Sequence, residues 1–215
     1  ATILVTGATG FVGGHLLARL AETEHVVRCL VRSPERAAHL EGRGAELVSG
    51  DVTDRASVAA AMSGCDWVLH LAAVNTHWER DRTIYARVNV EGTRNVMEAA
   101  LDHGVSKVVH VSTALVFGRP DEVPFTEDSE FGPRRFSTYA RSKLAGDRIA
   151  LRMQEERGLP LVIVYPGGVV GPGNVKQTAE YVSSVATRKL RFRLFPDVAA
   201  TYVDVRDVAE ILVRA

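Results

Sequence analysis

The segment that most constrains the fold is Thr-Gly-Ala-Thr-Gly-Phe-Val-Gly, which occupies residues 6–13. It follows an apolar run at residues 2–6 that is typical of a β-strand, and it leads into residues 11–22, whose leucines fall on one side of a helix. In a dinucleotide-binding turn the three glycines provide a tight turn, close approach of the backbone to a pyrophosphate, and close packing of helix on strand. A loop that merely needs small residues is the alternative. The strand before the glycines and the helix after them favour a βα unit that binds a dinucleotide.

The rest of the chain alternates short apolar runs with helical stretches. We expect further strands at residues 25–31, 45–49, 66–71, 107–112 and 161–165. We expect further helices at residues 33–40, 53–62, 83–102, 137–157 and 205–215, and a loop at 118–136. This alternation predicts an α/β fold, a Rossmann-type doubly wound parallel sheet with helices on both faces.

Domain organisation follows from the same pattern. We expect residues 1–170 to form an NAD(P)-binding Rossmann domain and residues 171–215 to begin a small substrate-binding lobe with a returning segment. The last predicted helix has no C-terminal cap or breaker, so we expect that more protein follows Ala215.

Composition argues against several classes of protein. The 26 basic and 26 acidic side chains cancel, so bulk charge does not indicate a nucleic-acid or membrane partner. No apolar run reaches the length of a membrane span. The two cysteines, Cys29 and Cys65, and the scattered histidines lack the spacing of a disulfide framework or a metal site, so we expect no metal. We expect two buried thiols in a cytoplasmic protein.

The glycine segment implies particular cofactor contacts. We assign the pyrophosphate to the turn formed by Gly7, Thr9, Gly10, Phe11, Val12 and Gly13, at the positive end of the first helix.

The residue that ends the second strand usually contacts the adenosine ribose of the cofactor, and an acidic residue there would bind the 2′-hydroxyl. This chain has Arg32 there, with Arg36 four residues later, and a guanidinium fits a phosphate, so NADP is favoured over NAD. A solvated surface arginine is the alternative. Asp51 and Val52 follow the third strand, where an adenine contact belongs. A helix N-cap is the alternative for Asp51, although Thr53 and Asp54 could also cap.

A second set of residues indicates catalysis. Tyr139 and Lys143 lie four residues apart on a predicted helix, so both side chains point to one face. A neighbouring ammonium stabilises a phenolate and lowers its pKa, which would let Tyr139 exchange a proton with a carbinol oxygen. Thr113 ends the predicted strand after Val111 and Ser112, at the sheet edge where ligands bind, and it can offer a hydroxyl to the same oxygen. An exposed helix pair and an ordinary β-branched strand residue are the alternatives.

Together these residues resemble the extended short-chain dehydrogenase/reductase family, which includes nucleotide-sugar epimerases and dehydratases. Within it the chain looks most like the dihydroflavonol-reductase-like branch. The matching motifs are the glycine segment, Asp51-Val52, His70-Leu71-Ala72-Ala73, Asn89 with Gly92-Thr93, the set Thr113, Tyr139 and Lys143, Tyr165-Pro166-Gly167-Gly168-Val169, and residues 202–209.

The resemblance implies further roles. It implies that Lys143 also holds the nicotinamide ribose, and that a homodimer forms through the helices at 83–102 and 137–157. Those helices carry spare apolar residues such as Ile149 and Met153. It implies cofactor contacts at Leu71, Ala72, Ala73, Asn89, Val111, Tyr139, Lys143, Tyr165, Pro166, Gly168 and Val169.

Two departures from the family pattern bear on the reaction. Ala114 and Leu115 follow Thr113 where sugar dehydratases have an acidic pair, so dehydration is disfavoured. Tyr165 and Gly168 replace the family's usual Arg and Asn beside the nicotinamide.

Candidate substrate contacts are His77, Trp78 and Arg135, the last beside Arg134; loop packing or solvation is the alternative for each. The sequence thus predicts an NADP-dependent oxidoreductase that moves hydride between the nicotinamide and a carbinol or ketone carbon of a small molecule, either a sugar nucleotide or a simpler ketone or alcohol. Two alternatives stay open: a nucleotide-sugar epimerase that retains its NAD(P), and a non-catalytic NAD(P)-binding redox sensor.

Overall fold

A computed structural model describes residues 1–76, 78–118, 124–131, 137–174, 177–189 and 201–215. The candidate substrate residues His77 and Arg135, like Arg134 and parts of the loop expected at 118–136, lie outside the described residues.

Six strands form one parallel sheet, with the order β3-β2-β1-β4-β5-β6. They are β1 (Thr2–Thr6), β2 (Val26–Val31), β3 (Ala45–Ser49), β4 (Trp67–His70), β5 (Lys107–Val111) and β6 (Leu161–Val164). The order reverses between β1 and β4, as in a doubly wound sheet. The predicted Rossmann-type fold is therefore confirmed.

Helices connect the strands and cover the sheet. They are α1 (Phe11–Leu20), α2 (Pro34–Ala37), α3 (Arg55–Met62), α4 (Thr83–Tyr85), α5 (Thr93–Asp102), α6 (Thr138–Arg157), α7 (Gln177–Ala186) and α8 (Val205–Arg214). Short 3₁₀ turns span Ala38–Arg43 and Ala114–Phe117. None of the helices in the described part of the chain is long and apolar enough to span a bilayer.

Alternation along the strands divides the core between the two faces of the sheet. On β1, Leu4 faces the layer formed by α3, α5 and α6, whereas Ile3 and Val5 face α1 and α8. Val208 and Leu212 of α8 belong to this second cluster, so the helix packs back against the sheet beside α1. The helices lie on both faces, as a parallel sheet buried on both sides requires.

The long helices carry less spare apolar surface than the sequence suggested. Met153 of α6 is buried in the first core cluster, and Ile149 packs against that cluster. Met153 is therefore not spare, whereas Ile149 is partly buried, and the homodimer stays a prediction.

The helix expected at 83–102 is not uniform. Residues Ala86–Gly92 form a π-helical segment between α4 and α5. Single π turns often occur at functional sites, and here the segment carries Asn89. A parallel pair, β7 (Gly168–Val170) and β8 (Tyr202–Asp204), and helix α7 were not expected from the sequence, because each strand has only three residues.

Candidate active site

A cleft of about 1330 Å³ lies at the carboxyl ends of the strands, where the strand order reverses. Ligands bind at this switch point in open α/β sheets. The glycine turn lines one part of the cleft, through Gly7, Thr9, Gly10, Phe11, Val12 and Gly13. The ends of β2, β4 and β5 and the segment after β6 line the rest.

The glycine turn is tightly packed and open to an anion. Gly7 has φ of +77°, and a Cβ there would lie 2.7 Å from the backbone nitrogen of Ala72. A Cβ on Gly13 would lie 2.4 Å from the carbonyl oxygen of Gly7, so only glycine allows α1 to begin this close to β1. The described first turn of α1 has no acidic residue and no side-chain cap, which leaves its N–H groups available. These features fit a dinucleotide pyrophosphate.

The segment after β4 forms the floor beside this turn, where Leu71, Ala72 and Ala73 line the cleft. The backbone nitrogen of Ala72 donates to the Thr6 hydroxyl at 3.2 Å. This bond holds the end of β4 against the end of β1, so the floor and the glycine turn are fixed to each other.

Basic side chains surround the end of the cleft beside β2. Arg32, His39 and Arg43 line it, and Nη1 of Arg43 donates to the carbonyl oxygen of Gly14 at 2.6 Å. Arg36, which the sequence analysis grouped with Arg32, is exposed and is not among the described lining residues. His39 and Arg43 were missed because no strand-end pattern marks them; the 3₁₀ turn at Ala38–Arg43 brings them to the cleft.

Asp51 and Val52 lie where the sequence placed them, on the cleft wall after β3. One carboxylate oxygen of Asp51, Oδ1, accepts from the backbone and hydroxyl of Thr53, each at 2.9 Å. The N-cap of α3 is Asp54, whose side chain accepts from the backbone nitrogen of Ala56 at 3.0 Å. Asp51 is therefore not the cap of this helix.

The other end of the cleft brings the predicted catalytic hydroxyls together. Val111, Thr113, Tyr139, Pro166 and Val169 line this end. The side chains of Tyr139 and Thr113 lie close enough for Thr113 to affect the pKa of the phenol, although the two residues come from α6 and from the loop after β5. Ser137 caps α6 by accepting from the Ala140 nitrogen, which fixes the first turn, where Tyr139 lies.

Burial dominates the acid–base properties of the phenol. Burial raises the pKa of Tyr139 to about 12, and the Thr113 side chain only partly opposes this rise. The Lys143 ammonium is not among the groups that lower the Tyr139 pKa in the described structure, so the expected lowering is not seen there. The reason is geometric: the Lys143 ammonium donates to the Val111 carbonyl at 2.9 Å, behind the cleft wall.

Lys143 is buried, with 2% of its surface exposed, and it is not among the described lining residues. Burial lowers the pKa of Lys143 to about 8, and the Asp147 carboxylate opposes that shift. Because its ammonium donates to the Val111 carbonyl, Lys143 lies on the buried side of Val111, a residue that does line the cleft.

A buried polar network continues behind Lys143. The Ser112 hydroxyl donates to Oδ2 of Asp147 at 2.5 Å, and Nε2 of His110 lies 3.0 Å from Oδ1. His70 stacks on His110 and contacts the hydroxyl of Thr6 at 2.7 Å. The sequence analysis treated the two histidines as ordinary strand residues and did not single out Asp147, although Asp147 lies one helical turn beyond Lys143.

Asn89 does not line the cleft in the described structure, contrary to expectation. Its Nδ2 donates to the Val74 carbonyl at 3.0 Å and to the Ser142 hydroxyl at 2.9 Å, and its Oδ1 accepts from the Val74 nitrogen at 2.8 Å. Asn89 is fully buried and ties the segment after β4 to α6. Its position is therefore structural.

Three further residues that we expected to contact the cofactor or the substrate are not among the described residues that line the cleft. Tyr165 packs edge-on against Phe117, with ring centroids 5.1 Å apart. Gly168 lies against the Tyr202 ring, which a Cβ would approach to 2.7 Å. Trp78 is 70% exposed. Neighbouring aromatic rings account for the first two positions.

The chain matches the model of the NAD dependent epimerase/dehydratase family over residues 3–215. The chain therefore belongs to that family, and the resemblance to the extended short-chain dehydrogenases/reductases is confirmed. Its relatives include reductases, dehydratases and epimerases.

Two curated relatives illustrate the similarity. A putative dihydroflavonol 4-reductase of Synechocystis sp. is 32% identical over 209 residues, which cover 95% of this chain and 60% of that protein. Cinnamoyl-CoA reductase 1 of Oryza sativa is 36% identical over 224 residues, which cover 96% of this chain and 65% of that protein. The chain thus spans about two thirds or less of the length of these relatives.

Solved structures share the fold. The crystal structure of gox2253 has a TM-score of 0.88 at 35% identity, with 97% of this chain and 64% of that chain covered. UDP-glucose 4-epimerase of Bifidobacterium longum, solved with NAD+ and UDP, has a TM-score of 0.80 at 25% identity, with 98% of this chain and 72% of that chain covered.

Proposed function

We propose that this chain is the cofactor-binding and catalytic part of an NADP-dependent oxidoreductase that acts on a carbinol or ketone carbon of a small molecule. The proximity of Thr113 and Tyr139, in the cleft that the glycine turn also lines, carries this proposal. A non-catalytic redox sensor would not require a pair of hydroxyls at the end of β5.

Each residue of the set has a distinct role in the proposed reaction. When bound, the nicotinamide supplies or accepts the hydride. Tyr139 transfers a proton to or from the carbinol oxygen, and Thr113 orients that oxygen through its hydroxyl. Lys143 supplies positive charge behind the wall of the cleft, and it can hold the nicotinamide ribose only if its ammonium leaves the Val111 carbonyl.

Charge at the opposite end of the cleft supports NADP over NAD. Arg32 has no acidic partner in the described ion pairs, and it lies beside His39 and Arg43. A 2′-phosphate placed among two guanidinium groups and an imidazole would form charge-assisted hydrogen bonds. By the same argument an acidic residue at position 32 would favour NAD.

We also propose a division of the chain between cofactor and substrate. Residues 1–170 form the dinucleotide-binding domain, and residues 171–215 begin the substrate-binding lobe. Pro172, Gly173, Asn174 and Glu180 line the cleft, which supports a substrate role for this part of the chain. The packing of α8 on the sheet indicates that the chain then returns to the first domain.

A nucleotide-sugar epimerase is the second candidate, because the Bifidobacterium longum epimerase shares the fold and binds NAD+ and UDP. The two candidates differ in the fate of the cofactor. A reductase consumes NADPH steadily, whereas an epimerase retains its dinucleotide through purification and shows no net consumption.

The decisive experiment is Tyr139→Phe, tested for NADPH binding by fluorescence and for NADPH consumption with a panel of ketones, aldehydes, coenzyme A thioesters and nucleotide sugars. We expect kcat to fall by about 100-fold or more, with the Kd for NADPH changed less than about threefold, within the context dependence of a single contact. Tyr202→Phe, at an exposed phenol outside the cleft lining, is the matched control. Unchanged turnover in Tyr139→Phe would contradict the catalytic assignment.

A further inference from the structure

Asp147 is a buried carboxylate that the proposed reaction does not yet use. It lies on α6 one turn after Lys143, and its side chain has no exposed surface. Ionised carboxylates are almost never buried without partners, because losing hydration strongly disfavours the charged form. The neighbours of Asp147 therefore indicate why an acidic residue occupies this position.

Two side chains fix the carboxylate of Asp147. The Ser112 hydroxyl donates to Oδ2 of Asp147, 2.5 Å away. At Oδ1, the partner is Nε2 of His110 at 3.0 Å. Both bonds reach across from β5 to α6, so they determine where the negative charge lies.

His110 orients this charge but does not neutralise it. Burial, together with the Lys143 ammonium, lowers the pKa of His110 to about 4, so the ring is neutral near pH 7. A neutral ring that donates from Nε2 has a bare Nδ1, and Nδ1 is the buried side-chain atom without a hydrogen-bond partner among the described residues. His110 therefore supplies no positive charge beside the Asp147 carboxyl group.

Among the described titratable groups near Lys143, Asp147 is the one that can carry a negative charge at neutral pH. Burial also lowers the pKa of His70, so both histidines are neutral at neutral pH. Burial raises the pKa values of Tyr139 and Tyr165, so both phenols are neutral as well. The titratable groups that act on Lys143 or on its surroundings in the described structure are Asp147 and Tyr139 on α6, His110 on β5, His70 on β4 and Tyr165 after β6.

We propose that Asp147 is a positioning residue that acts through Lys143, and that its fixed negative charge, held by Ser112 and His110, keeps Lys143 an ammonium at neutral pH. The inference about the charge of Lys143 does not depend on the proposed function. Its consequence for turnover does rest on that function, because the ammonium affects turnover only if it faces the reacting groups. Without the carboxylate, the desolvation of the ammonium is unopposed, and Lys143 loses its proton at lower pH.

The test is an NMR titration of the lysine side chains in protein labelled with ¹³C at lysine Cε. The chain has four lysines, Lys107, Lys143, Lys176 and Lys189, so Lys143→Met identifies the Lys143 signal. In Asp147→Asn we expect the midpoint of Lys143 to move to lower pH by about one unit or more, the size of the interaction between two buried unit charges roughly one helical turn apart. An unmoved midpoint overturns the proposal.

Ser112→Ala is the matched control, because it removes one hydrogen bond to the carboxylate but leaves the charge. We expect its Lys143 midpoint to stay within about 0.3 units of the wild type, well below the effect of removing a full charge. An equal shift in both variants would show that the effect comes from packing rather than from charge, and would also overturn the proposal.

Asparagine should fit at position 147, since its amide can pair with Ser112 and with the other tautomer of His110. If Asp147→Asn does not fold, Asp147→Ser, which leaves room for a water, replaces it in the same titration. Where turnover is measurable, the alkaline limb of the kcat–pH profile shifts with the NMR midpoint. If no substrate is turned over, the proposed function fails while the titration still decides the role of Asp147.

Discussion

The ammonium of Lys143 donates a hydrogen bond to the carbonyl oxygen of Val111 at 2.9 Å, joining α6 to the last residue of β5. Thr113 follows two residues later, and Tyr139 lies one turn before Lys143 on the same helix. The bond therefore holds together the two elements whose hydroxyls meet in the cleft. The bond fixes the geometry of the site, but it requires a buried ammonium, and burying that charge lowers the free energy of unfolding.

The double variant Lys143→Met/Asp147→Asn, which removes both buried charges, is expected to abolish activity and to stabilise the protein near neutral pH. Burial lowers the pKa of Lys143 from its ordinary 10.5 to about 8, so between these values the unfolded chain binds more protons than the folded protein. The penalty is thus fully present below pH 8 and disappears as the pH rises to 10.5.

We expect this double variant to raise the free energy of unfolding at pH 7 by about 1–3 kcal/mol, after allowing for the unpaired Val111 carbonyl. Urea melts at pH 7 and pH 10 measure the difference, and the gain should shrink at the higher pH. Equal gains at both pH values would show that packing, and not the buried charge, causes the change.

Arg32→Glu is expected to weaken NADPH binding about 10- to 100-fold, because a carboxylate would face the 2′-phosphate instead of a guanidinium. NADH binding should change little or improve. Fluorescence titrations with both cofactors measure the two Kd values. Arg36→Glu makes the same charge change at an exposed site outside the described lining, and similar losses in both variants would argue against a specific phosphate contact.

The two buried histidines should make the protein sensitive to mild acid. Burial lowers the pKa of His110 from 6.5 to about 4, and burial lowers that of His70 as well. Between pH 6.5 and 4 the unfolded state takes up protons that the folded state does not, so stability falls as the pH falls through this range.

We expect His110→Gln to reduce this slope, since glutamine does not titrate. The lost stability attributable to His110 should reach about 2–3 kcal/mol by pH 4. Urea melts at pH 7, 6, 5 and 4.5 test this, with the exposed His103→Gln as the control. A wild-type slope in His110→Gln would contradict the assignment.

Gly146→Ala should destabilise the protein, because its Cβ would lie 2.5 Å from the Asn89 carbonyl oxygen and 3.3 Å from the Thr93 hydroxyl. Helix α6 and the π-helical segment would have to move apart, at a cost of about 1–3 kcal/mol. The same movement would strain the contact between Asn89 and Ser142. Gly14→Ala, also in a helix but with nothing within 4 Å of the new Cβ, should instead stabilise by up to about 1 kcal/mol. Urea melts compare the two.

Local patterns were sufficient to predict the main elements. The segments that became β1 and β3 have the predicted bounds. The interior of β1 is continuously apolar because that strand is buried on both faces of the sheet. The glycine turn could also be predicted from the sequence, because each of its glycines is required by local steric constraints. The strands β7 and β8 were missed because three residues carry no periodic signal and their pairing spans more than thirty positions.

The sequence by itself therefore determined the doubly wound sheet, the glycine turn and the spacing of Tyr139 and Lys143, all of which depend on short-range periodicity and sterics. The tertiary structure alone decided which residues reach the cleft. It brought His39 and Arg43 to the cleft and placed Asn89 and Tyr165 outside its lining. It also placed the ammonium of Lys143 behind Val111, near the buried carboxylate of Asp147. Burial and charge depend on neighbours distant in the chain, so the protonation of Tyr139, Lys143 and His110 follows only from how α6 packs against β5.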